Sequence, residues 1–224
     1  MRLLLIFFIP CIACASFSVS PLNFKLNVKR GEYTGWVEVI HTGGSRPAAV
    51  ELLMQNRILD LDGEVKDTVI PNREFVIYPS QILLYPGQTA KAQIIYRGKK
   101  IDSDMVYFLH ARELPMPEGP ENPDEIKAGV SVVINYNVLV VMETGKPGSL
   151  AFVSSKSLDS GKVELVMENR GSGRFSLENI NLYVGKKKIT DYTGKNNAVL
   201  PGQKRRFVFK HPKPLKADEV RFTK

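Results

Sequence analysis

From Phe17 onward, the apolar residues fall in short runs separated by clusters of Gly, Pro, Asn and Asp. Such runs are Trp36-Val37-Glu38-Val39-Ile40, Val50 to Met54, Phe75 to Tyr78, Ala92 to Tyr96 and Val106 to His110. The second half continues with Leu150 to Val153, Val163 to Met167, Ile180 to Val184 and Phe207 to Phe209. Runs of this length, rich in β-branched and aromatic residues and closed by turn formers, predict strands. No segment has the 3.6-residue period with caps that marks an amphipathic helix. Many short strands at regular spacing predict an all-β sandwich or barrel.

Two stretches punctuate this pattern. Residues 115–129 (PMPEGPENPDEIKAG) are rich in Pro, Glu and Gly and read as a mobile loop. Glu143 to Gly148 (ETGKPG) reads as an interdomain linker, because its Gly and Pro stop the strand before it. The expected organisation is a signal segment over 1–15, a first domain over 16–142, the linker over 143–148 and a second domain over 149–224. A weak internal echo fits two similar domains. Leu84-Tyr85-Pro86-Gly87-Gln88 precedes one strand, and Leu200-Pro201-Gly202-Gln203 precedes another. A chain of 224 residues is long enough for two domains of this size.

The N-terminus carries Met1-Arg2, the apolar run Leu3 to Ile9, and Ala13-Cys14-Ala15, a small-x-small pattern. These features predict an export signal cleaved after Ala15. The run is too short to span a bilayer, and stable membrane insertion is not expected. A lipoprotein signal with Cys14 acylated ranks lower, because Cys11 sits where such a signal prefers an aliphatic residue. Both cysteines lie in this segment, so cleavage leaves a chain without disulfides, whose cores rest on apolar burial alone. The composition, 43% hydrophobic and 24% charged, excludes disordered and collagen-like classes. The net charge of +8 is spread along the chain in short runs, so no nucleic-acid partner is expected.

Candidate chemistry is sparse. His41, His110 and His211 show no metal-ligand spacing. His41 and His110 stand at the ends of predicted strands, where a surface or strand-edge role is expected. No GxSxG elbow or phosphate-binding loop occurs, and Gly171-Ser172-Gly173 reads as a turn. Asp60, Asp62 and Glu64 alternate around Gly63 but fall short of a calcium loop, and a hairpin turn at Asp62-Gly63 explains them better. A binding protein with no cofactor and no catalytic residues is the expected class.

Several segments, taken in order, resemble the PapD-like periplasmic chaperones of the chaperone–usher pathway. Phe17-Ser18-Val19-Ser20-Pro21 is similar to the family's opening strand, and Phe75 to Tyr96 to its strand–Pro–strand–Pro-Gly–strand passage. Tyr107 to Pro115 (YFLHARELP) resembles the passage ending in Arg-Glu-Ile-Pro, and a variable loop and a long apolar strand follow. The resemblance implies two immunoglobulin-like β-sandwich domains set at an angle with a cleft between them. It further implies a chaperone that binds pilus subunits lacking their last strand, completes them with its own strand, and delivers them to an outer-membrane usher. The alternative class is an exported structural or adhesive module, such as a pilus subunit. A pilus subunit would be one incomplete domain with an alternating N-terminal extension, whereas here the segment before Pro21 is short.

On the resemblance, Val130, Val132, Ile134 and Tyr136 form the donor strand, since alternate residues of an extended strand share one side. The competing reading is an ordinary core strand, as expected for Val138 to Met142. The loop before residue 130 favours the donor reading. Many members of the family hold the subunit's terminal carboxylate with an arginine on the first strand and a lysine on the donor strand. The lysine position falls at Leu139 and the arginine position near Lys25. Half of the pair is therefore absent, and the passage Tyr136 to Val140 looks more like the archaic or alternative branch. Lys25 with Arg112 or Arg73 is the candidate anchor, beside an equal reading of all three as surface charge.

Overall fold

The computed structural model describes residues 16–65, 73–116, 133–178, 180–194 and 198–223. The expected signal segment with Cys14, most of the 115–129 loop, and both Val130 and Val132 lie outside the described residues. The fold is all-β. The first half contributes β1 (Phe17–Ser20), β2 (Asn23–Asn27), β3 (Thr34–His41), β4 (Ala48–Asn56), β5 (Phe75–Tyr78), β6 (Gln81–Leu84), β7 (Thr89–Tyr96), β8 (Met105–Leu114) and β9 (Asn135–Glu143). The second half contributes β10 (Leu150–Leu158), β11 (Lys162–Asn169), β12 (Asn181–Val184), β13 (Lys187–Ile189), β14 (Lys204–Lys210) and β15 (Val220–Thr223).

The first-half strands form two sheets, ordered β1-β3-β7-β5 and β2-β9-β8-β4-β6. The chain changes sheet between β1 and β2, so consecutive short strands lie on opposite layers. Alternation decides which side chains fill the space between the layers. In β3, Val37 and Val39 point inward while Trp36 faces solvent. In β9, Val138, Val140 and Met142 join the same core with Phe17, Leu52, Ile94 and Leu109. Gly35 is required on β3 because the Phe24 ring lies against it, and a Cβ there would stand 2.4 Å from that ring.

The second-half strands form the sheets β10-β11-β14 and β13-β12-β15 around a separate core that includes Leu165, Leu182, Val199 and Phe207. The echoed Pro-Gly turns are realised in both halves. Gln88 N–H donates to Tyr85 O and Gln203 N–H to Leu200 O, with Gly87 and Gly202 at φ 78° and 74°. Those positive φ values suit the third turn position to glycine. The first turn leads into β7 and the second into β14.

β10 and β8 run well past their expected ends. β10 extends to Leu158 because Ser154 to Ser157 lie on a half-exposed edge strand, where an apolar pattern is not required. β8 extends to Leu114, so His110 sits within the strand rather than at its end. His41 does end β3 but is buried rather than superficial, with Nε2 2.9 Å from Arg46 O. Among the described residues no helix is long and apolar enough to cross a membrane.

Candidate functional site

The two sides of β9 have different surroundings. Toward β8 it is paired along its length, from Arg112↔Asn135 to Met105↔Met142. Toward β2 the parallel pairing begins only at Asn23↔Leu139, with Leu139 N–H donating to Leu22 O. Backbone groups alternate sides along a strand. Leu139 points toward β2, and therefore so do Asn137, Asn135 and Val133. Ile134 points toward β8, accepting from Glu113 N–H at 3.3 Å. The chain has already crossed to β1 before it could cover residues 133–137. Among the described residues, no strand pairs with that side of β9, which is an open edge.

Side chains at this edge divide by face. Even positions turn toward the core of the first domain. Ile134 is half-buried against it, and the Tyr136 ring meets Phe17 edge-on at 5.2 Å while its hydroxyl donates to Phe17 O at 3.1 Å. Tyr136 therefore belongs to the domain's own core in this state. Odd positions face the second domain. Leu139 and Val141 pack with Val106 and with Leu200 from the second half. Asn135, Asn137 and Val133 are exposed on the same face.

Lys25 and Arg112 do not converge. Lys25 lies beside Val141 in register and Arg112 beside Asn135, about 20 Å apart along β9 at the usual rise per residue. Arg112 is held by Glu51 through Nε at 2.6 Å and Nη2 at 2.5 Å. Arg73 is an exposed turn residue before β5. Lys25 Nζ meets Glu143 Oε1 at 3.0 Å, and Arg174 from the second half meets the same oxygen at 2.8 Å. The lysine position of the family's pair, Leu139, is part of an apolar contact between the halves.

Sequence reasoning missed two features here. A cavity of about 190 Å³ between the halves is lined by Arg57, Leu139, Val141, Arg174 and Leu200 among others. The Arg57 guanidinium lies 5.2 Å from the Phe108 ring centre. Burial, and then the charge of Arg205, draws Arg57 below its ordinary pKa. The second feature is a clasp. The turn at residues 60–64 is closed by Asp60, whose Oδ1 accepts from the N–H of Asp62 and of Glu64 at 2.9 Å. The turn expected at Asp62-Gly63 therefore forms, and its carboxylates face arginines from β14. Asp62 pairs with Arg206 through two oxygens, and Arg206 N–H donates to Leu61 O at 2.7 Å. Hydrogen bonding from Arg206 holds the Asp62 carboxyl below the usual range. Arg205 is fully buried and sees Asp60, Asp62 and Glu64, whose charges oppose the desolvation that lowers its pKa. Asp62 and Arg206 are 144 residues apart in the chain, and no local motif joins them.

The segment between the halves is held as well. Asp104 Oδ1 accepts from Thr144 N–H and Thr144 Oγ1, both at 2.7 Å, and its Oδ2 accepts from Arg174 N–H at 3.0 Å. Gly173 lies so close to Lys146 O that a Cβ would stand 1.8 Å from it.

No family model and no curated protein matches the chain by sequence. Solved structures do match by shape. One chain of a chaperone–tip adhesin complex of CFA/I fimbriae biogenesis has a TM-score of 0.62 at 16% identity, covering 93% of this chain and 98% of that one. The Escherichia coli chaperone DraB has a TM-score of 0.54 at 16% identity, covering 92% and 88%. A chain of the CsuC–CsuE pre-assembly complex, from archaic chaperone–usher Csu pili of Acinetobacter baumannii, has a TM-score of 0.53 at 14% identity, covering 86% and 90%. Such identities speak for the fold: the chain carries the two-domain, all-β fold of the solved chaperone–usher pilus chaperones and resembles the PapD-like family in that respect.

Proposed function

We propose that the chain is a periplasmic chaperone that binds pilus subunits by lending them the edge of β9 and the residues just before it. The observation that carries this reading is the open edge over residues 133–137, beside a strand otherwise paired on both sides. An incoming strand can satisfy the outward N–H and C=O groups there, while alternate side chains determine the fit. The similar folds come from proteins described as chaperones, two of them in complexes with tip subunits. Export by residues 1–15 fits the same reading, as does delivery to an outer-membrane usher.

The donor side chains in this proposal are Val130, Val132 and Ile134. Tyr136 marks where the strand passes into the chaperone's own core. Lys25 remains the candidate anchor for a subunit carboxylate, since its partner Glu143 is already shared with Arg174 and two cations there face one carboxylate. Arg112 pairs with Glu51 and stands far from Lys25 along β9, which favours Lys25 as the anchor. The test is co-expression with the pilus subunits of the source organism, followed by mass spectrometry of periplasmic complexes. The expected result is an equimolar complex with a subunit that lacks its last strand. Val132→Asp with Ile134→Asp should lose that subunit while keeping a native circular dichroism spectrum, and normal yield from this folded variant would sink the donor assignment. Lys25→Ala should weaken capture, and unchanged affinity would remove it as the anchor.

A further inference from the structure

The open edge of β9 has a second face whose chemistry is unusual for an exposed sheet edge. Asn135 and Asn137 both stand on it, exposed and two residues apart, on the face that Leu139 and Val141 share. Behind Asn137, on β8, lies His110, with Nδ1 2.8 Å from Asn137 Oδ1. With its oxygen engaged by His110, Asn137 keeps its NH₂ group for another partner. Among the described residues, no group accepts from this NH₂, and none bonds the Asn135 amide. Behind Asn135 lies Arg112, whose charge is cancelled by Glu51. The strip thus offers amide donors and acceptors and no net charge.

We propose that Asn135 and Asn137 are specificity-determining residues. They select a partner strand with uncharged hydrogen-bonding side chains, Thr, Ser, Asn or Gln, at two alternate positions, and apolar side chains on its other face. This rests on the reading of the β9 edge as the subunit-binding edge. A strand added at residues 133–137 places every second side chain beside Asn135 and Asn137, within reach of their amides. A threonine or asparagine there completes the amides' hydrogen bonds. A valine there covers the amides without giving them partners, which is unfavourable. A lysine or glutamate must shed water without an opposite charge, because Arg112 and Glu51 already satisfy each other.

The test uses the full chain, labelled with ¹⁵N, and a panel of short synthetic peptides. All carry valine at alternate positions. The intervening positions are all threonine, all alanine, all glutamate or all lysine. Shifts of the backbone amides of Val133, Asn135 and Asn137 report edge binding, and shifts of the two asparagine side-chain amides report contact with the strip. The threonine peptide should bind about fivefold more tightly than the others, in keeping with a favourable cross-strand pair. In Asn135→Val with Asn137→Val, that preference should vanish while the alanine peptide still binds. A preference for glutamate or lysine, or a threonine preference that survives the double variant, overturns the selectivity and leaves the edge reading standing. If no peptide shifts the three backbone amides, the edge reading falls and the selectivity falls with it.

Discussion

Asn169 is fully buried, and one side chain serves four backbone groups. Its oxygen accepts from Ser149 N–H and Gly171 N–H, and its NH₂ donates to Gly173 O and Val199 O at 2.8 Å. A buried amide with every partner in place pins the segment after residue 148 to the turn at residues 171–173. Asn169→Ala strands those groups away from water and should cost about 3 kcal/mol. Urea unfolding monitored on the second half checks this, and a loss under about 1 kcal/mol would contradict it. At this scale, legibility depended on locality. Pro86-Gly87 and Pro201-Gly202 were readable because a turn is encoded in adjacent residues. The burial of His41 was not, because it depends on the loop carbonyl of Arg46 folding back over the strand.

β9 shows what alternation alone conveys and what it leaves out. Val138, Val140 and Met142 face the core, as their pattern required. The same parity carried Tyr136 into the core, where its hydroxyl bonds Phe17 O across 119 residues of chain. No pattern within residues 130–136 reveals that Phe17 will stand there. Nor does the pattern show that β2 joins β9 in parallel and stops at Leu139. That register creates the open edge, and it arises because the chain crosses between sheets before β2 begins. Tyr136→Phe deletes the bond to Phe17 O and should cost about 1 kcal/mol of stability without affecting capture. Denaturant midpoints and complex yields measure both, and a loss of capture would return Tyr136 to the donor set.

Across the whole molecule, two cores are joined by a small apolar contact at Leu139, Val141 and Leu200 and by charged contacts at its margins. The clasp of Asp62 on Arg206 is one of these, and Glu164 also meets Arg206 at 3.5 Å. The Asp62 carboxyl titrates below the ordinary value of about 3.9, so its contribution is complete above that pH. It is lost as the pH falls through the lowered value. Small-angle scattering should show a constant domain arrangement from neutrality down to about pH 4, and a broader one below it. Asp62→Asn should show the broader arrangement at neutral pH while both domains keep native circular dichroism. An unaltered scattering curve for that variant would remove the clasp from the account. Two domains were legible because each repeats the strand–turn rhythm. Their joint was not, because long-range charge pairs leave no periodic trace in sequence.

Hydrogen exchange along β9 tests strand lending residue by residue. In the free chain the amides of Asn135 and Asn137 should exchange fast, and those of Tyr136 and Val138 slowly, because the N–H groups of the latter point to β8 and those of the former to the open edge. On binding a pilus subunit, Asn135 and Asn137 should become protected while Val140 and Met142 stay as they were. Capture of a subunit with Asn135 and Asn137 still unprotected, and new protection at another edge such as β5 or β6, would contradict strand lending from β9.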